Sequence, residues 1–78
     1  MHKMIRIEWE DSSSSSRIWN TVEKLKSFSN ARCISVGFLV HEDDTCVVIA
    51  GHKGEEDYAG EMRIPKRSIV KRRVWKEK

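Results

Sequence analysis

The groups best able to do chemistry in this 78-residue chain crowd its C-terminal end. From Lys66 to Lys78 there are seven cations, Lys66, Arg67, Lys71, Arg72, Arg73, Lys76 and Lys78, against the single carboxylate Glu77. Trp75 stands among them. Cations at this density suit phosphates, because each neutralised phosphate releases condensed counterions. An aromatic interleaved with cations is the composition of a base-stacking surface. Lys66, Arg67, Lys71, Arg72, Arg73 and Trp75 are therefore the candidate site for nucleic acid or a nucleotide. The competing reading is a solvated face, with Trp75 packed along the last strand and the cation stems lying over apolar surface.

A second group is acidic. Between His41 and Glu61 seven carboxylates, Glu42, Asp43, Asp44, Glu55, Glu56, Asp57 and Glu61, stand against one Lys53. Glu42, Asp43 and Asp44, together with Trp19, are the candidate protein-interaction residues. The remaining reactive types do not assemble. His2, His41 and His52 lack metal-ligand spacing. Asp43 and Asp44 are adjacent in a turn and lack a third ligand, so hairpin solubility accounts for them better. The run Ser12 to Ser16 has neither a G-x-S-x-G elbow nor a paired base. The glycines match neither a P-loop nor a dinucleotide fingerprint. No catalytic residue, metal or cofactor is expected, and the chain reads as a non-enzymatic binding module.

The elements that must position these groups follow from periodicity. "MIRIEWE" alternates, with Ile5, Ile7 and Trp9 on the face away from Arg6, Glu8 and Glu10, as a half-buried strand does. The serines favour a loop because their hydroxyls compete for backbone hydrogen bonds. A short helix is predicted over about Asn20 to Phe28, started by Asn20 and Glu23 at capping spacing. Its residues Val22, Leu25 and Phe28 would cover an open end of a sheet, with Trp19 half-exposed beside them. Ile34, Val36, Phe38 and Val40 alternate, the acidic turn reverses the chain, and Val47 and Ile49 return. A turn centred near Asp43 would set Val40 opposite Cys46 and Cys33 opposite Lys53, which keeps the cysteines beyond disulfide reach. Gly37 in mid-strand marks a bend or a close backbone approach. "GHKGEEDYAG" reads as a loop. Met62 to Ile64 and Ile69 to Trp75 are strands separated by Pro65, which lacks a ladder donor and should start a one-turn corner at "PKRS". The predicted core is Ile5, Ile7, Val36, Phe38, Val47, Ile49, Ile64 and Val70.

Residues 1–78 are expected to form one small domain that buries about 60% of its unfolded surface. Two cysteines held apart by register fit a reducing compartment. No apolar run approaches the roughly 20 residues of a membrane helix, and "MHKMIRIEWE" lacks a signal peptide's apolar stretch. The expectation is a cytoplasmic protein.

The strand, proline-led turn and closing strand through Gly60, Ile64, Pro65, Ile69 and Val70 are similar to the ending of Src-homology-3-like barrels. About five strands and one short helix, in β-α-β-β-β-β order, resemble a small Src-homology-3-like or Sm-like barrel. "IEWEDS", "CISVGFLVHED" and "IPKRSI", in that order, resemble small bacteriophage-encoded proteins of no settled function. That resemblance implies an accessory protein acting in a bacterial host cytoplasm. Two functions stay open. One binds nucleic acid or a nucleotide through the basic C-terminal strand. The other inhibits a host protein through the acidic turn. An open edge on the cation-bearing last strand, with anions on the preceding hairpin and loop, also predicts a head-to-tail homo-oligomer.

Overall fold

The computed structural model describes residues 2–11, 19–26 and 31–77. Along the chain lie β1 (His2–Asp11), α1 (Val22–Lys26), β2 (Ala31–Glu42), β3 (Cys46–Lys53), β4 (Tyr58–Pro65), a 3₁₀ turn (Lys66–Ser68) and β5 (Ile69–Glu77). The strands make one antiparallel sheet in the order β4-β3-β2-β1-β5. The fold is thus mainly β. β4 and β5 are the two edges, and among the described residues they do not pair to close a barrel.

β2 is the bend of the sheet. Its residues Ala31 to Phe38 pair with β1, and Phe38 to Glu42 pair with β3, so the two partners overlap only at Phe38. A Cβ on Gly37 would lie 2.6 Å from the Ala50 carbonyl oxygen. The β3 backbone therefore approaches closer than any side chain permits, as the mid-strand glycine predicts. Pro65 ends β4 in extended conformation and leads the 3₁₀ turn, the corner expected of it. The Lys66 amide donates to the Thr45 carbonyl at 2.9 Å, which ties that corner to the β2–β3 turn.

The core forms between the two halves of the bent sheet. Ile5 and Ile7 from β1 meet Val47 and Ile49 from β3 and Ile64 from β4, with Trp9, Leu39 and Ile69 around them. Three predicted core members belong elsewhere. Val36 is 54% exposed, Val70 is 52% exposed, and Phe38 is half-buried. Register explains Val36. It stands opposite Arg6, and Ile34 opposite Glu8, so both share the face away from Ile5 and Ile7. Ser35 and Gly37 take the inward positions, and the Trp9 indole donates to the Ser35 hydroxyl at 3.0 Å. Val70 falls at an irregularity between Ile69, opposite Trp9, and Lys71, opposite Glu8. An extra residue at such a bulge has no cross-strand partner and turns outward.

Other expectations are corrected too. The β2–β3 register pairs Glu42 with Val47, and Val40 falls at a bulge between Leu39 and His41 instead of opposite Cys46. Cys33 stands opposite Trp9 and Cys46 opposite Pro65; both thiols are free. Most of "GHKGEEDYAG" is hairpin, since His52 pairs with Ala59 and Lys53 with Tyr58. Gly60 sits in β4 at φ +70°, a conformation that glycine adopts without strain. The helix begins at Val22, two residues later than predicted. Val22 is exposed and covers no sheet end, and Trp19 is 88% exposed where half-exposure was expected. Ser12 to Ser16, Ile18, the Leu25 side chain, Phe28 and Lys78 lie outside the described residues.

Candidate nucleic-acid interface

Strand alternation divides the basic strip into two sets. Ile7 stands opposite Arg72, and Ile5 opposite Val74, so these lie on the side that carries the core. Lys71, Arg73 and Trp75 stand opposite Glu8, Arg6 and Met4 and share the outer face. The structure brings those three predicted site residues together on one surface. It also adds Arg6, which the sequence reading placed outward on its strand without giving it a role.

The inward set is already neutralised. Both Glu42 carboxylate oxygens accept from Arg72, from Nη1 at 2.9 Å and Nη2 at 2.8 Å, and Lys66 Nζ lies 2.9 Å from Oε2. A planar fork on a carboxylate is the strongest geometry available to such a pair. Hydrogen bonds from Arg72, then Lys66, hold the Glu42 carboxyl at about 2, well below the ordinary carboxylate range. Arg72 and Lys66 thus fasten the β2–β3 turn over the sheet. They are separated from the outer cations in both direction and charge.

The outer set is only partly neutralised, since Glu8 stands opposite Lys71 and within reach of Arg6. Arg73 stands directly opposite Arg6 across the two strands. Like charges directly opposite one another destabilise a ladder. Arg6 has a partial partner in Glu8 at 3.4 Å. The Arg73 guanidinium lies 5.5 Å from the Trp75 ring centre, a cation–π contact that presents charge and ring together. Trp75 remains 36% exposed. Arg67 is exposed on the 3₁₀ turn, beside neither set in the strand register.

The acidic candidates have local work. Asp43 organises the turn: its Oδ1 accepts from the Thr45 amide at 2.9 Å, the Thr45 hydroxyl at 2.9 Å and the Cys46 amide at 3.0 Å. Its Oδ2 lies 3.1 Å from His41 Nε2. The Thr45 and Cys46 amides, then the Thr45 hydroxyl and His41, hold the Asp43 carboxyl far below its usual range. This is more specific than solubility, which was the sequence-based account of the turn. Asp44 is exposed at the tip. Among the described residues no hydrogen bond, ion pair or ring contact joins Trp19 to this turn. No group of three metal-binding side chains occurs among the described residues, and none of their helices is long and apolar enough to cross a membrane.

No protein-family model, curated protein or solved structure matches the chain.

Proposed function

We propose that the chain is a non-enzymatic binding module that takes nucleic acid or a nucleotide on the outer face of β1 and β5. Lys71 and Arg73 contact phosphate, Trp75 stacks on a base, and Arg6 adds a further charge from the neighbouring strand. The observation that carries this reading is the Arg6–Arg73 pair beside Trp75. An anion bound there relieves a repulsion that the free protein holds in its own ladder. Arg67 extends the positive field from the 3₁₀ turn, while Lys66 and Arg72 serve the fold through Glu42.

Within this reading the bent sheet is an Src-homology-3-like or Sm-like barrel, supported by the strand order and the proline-led 3₁₀ turn before the last strand. The three phage-like segments support an accessory protein of bacteriophage type, working in a bacterial cytoplasm. Two edges left open among the described residues, with the cations on β5 and the carboxylates Glu55, Glu56 and Asp57 between β3 and β4, support head-to-tail homo-oligomers.

A host-protein target is the second reading. Trp19, at 88% exposed, and the outward Ile34 and Val36 favour it, alongside Asp44. Pull-down from a bacterial lysate, with and without nuclease, separates the two. Recovery of nuclease-sensitive material supports the first; a nuclease-resistant protein partner lost on Trp19→Ala supports the second.

A further inference from the structure

A row of side chains runs from β5 toward β4, transverse to the strands as far as β2 and then slanting along them to Tyr58, because the register itself continues Phe38 to Ala50 and Glu61. Trp75 on β5 stands opposite Met4 on β1, and Met4 stands opposite Phe38 on β2. Directly opposed residues share a face. The Phe38 ring continues the row. His2 meets it edge-on, with centres 6.0 Å apart at 83°, and Tyr58 of β4 lies 6.3 Å away at 58°. Each end carries a cation against an aromatic ring. Arg73 lies 5.5 Å from the Trp75 centre, and Lys53 Nζ lies 5.1 Å from the Tyr58 centre. Trp75 and Tyr58 stay partly open to solvent, and none of these rings belongs to the buried core.

We infer that this row is a stacking platform for one single strand of nucleic acid, running across the sheet from Arg73 to Lys53. The inference rests on the nucleic-acid reading above and narrows it to an extended single strand. Its chemistry selects that ligand. Partly exposed rings stack unpaired bases, whereas a duplex hides its base faces and a mononucleotide engages one end only. Cations at both ends meet phosphates, which sets this surface apart from a purely apolar docking face. Two strand spacings separate Trp75 from Phe38, about 10 Å, and the Tyr58 ring lies 6.3 Å beyond. The footprint is on the order of four nucleotides, at the lower end for single-strand binders. The acidic turn with Glu55, Glu56 and Asp57, next to Tyr58, limits it by repelling phosphate.

Titration of labelled oligothymidylates of increasing length onto the full chain tests this. Affinity should rise to about four nucleotides and then level. Tyr58→Leu and Phe38→Leu should each weaken binding roughly 5- to 150-fold, the loss of one base stack, at unchanged salt slope. Lys53→Ala should reduce that slope by about one. Thermal melting checks that Phe38→Leu folds, and the exposed Tyr58 supplies an independent variant. If Arg73→Ala and Trp75→Leu abolish binding while Tyr58→Leu and Lys53→Ala leave it intact, the platform is overturned and the β5 site survives. If the parent binds no single strand at low salt, both readings fall.

Discussion

Arg72 and Arg73 are neighbours in the chain and do opposite things. Arg72 points to the core side and forks onto Glu42, while Arg73 points outward, faces Arg6 and lies over Trp75. Arg73→Ala should weaken binding of a single-stranded oligonucleotide and lower the salt slope by about one, as loss of a phosphate contact does. Arg72→Ala should leave that slope unchanged and cost roughly 0.2–1 kcal/mol of stability, the range for an exposed pair. Titrations at several salt concentrations, with denaturant melts of both variants, separate the two roles. Glu42 adds a pH dependence with a defined sign. Its folded carboxyl lies at about 2, below its ordinary value of 4.5. Its contribution is therefore fully present above about 4.5 and is lost as pH falls through about 2. Glu42→Gln should flatten the acid limb of the stability curve in that window, measured by melting temperature against pH.

β2 shows what periodicity can and cannot specify. Ile34, Val36, Phe38 and Val40 give the strand and its period correctly, but a one-residue choice of register decides which face they occupy. The β1 pairing sets Arg6 opposite Val36, so the apolar line faces outward and small residues face the core. A single sequence carries no signal for that choice, because Ser35 and Gly37 look like the polar side. Val70 was misplaced for a related reason, as a bulge adds one residue and breaks the count. Features with local physical causes were legible: the Pro65 corner, the Gly37 bend and the inward alternation of Ile5 and Ile7. The candidate site was half legible. Composition found the cations and Trp75, but only the pairing separates Lys71 and Arg73 from Arg72 and Lys66. Arg6 and Phe38 lie more than thirty residues upstream of β5 and enter through register alone. Gly37→Ala tests the bend. The added Cβ meets backbone at Ala50, so the sheet must shift, and the expected loss is about 1–3 kcal/mol in a chemical denaturation curve. A neutral result would mean that β2 and β3 do not approach as described.

At the scale of the molecule, a small core is held between two halves of one open sheet, and its outer face carries the unspent charge. Ile64 is fully buried at the junction, and Ile64→Ala should cost about 2–5 kcal/mol, a large part of the stability of a chain this short. The free edges make a further prediction. Light scattering at moderate salt should report a mass above 9.1 kDa that falls toward it as salt rises, as screening weakens contacts between the cationic last strand and the acidic hairpin and loop of a neighbouring copy. A monomer at every concentration would remove the oligomer. The central claim, that the outer face of β1 and β5 receives a nucleic-acid strand, is tested most directly by amide NMR during titration with a short single-stranded oligonucleotide at low salt. The account predicts shifts at the Arg6, Lys71 and Arg73 amides and at the Trp75 indole, with the Trp9 indole, bonded to Ser35, left in place. An unchanged spectrum, or shifts confined to the Asp43–Thr45 turn and the Trp19 indole, would contradict it.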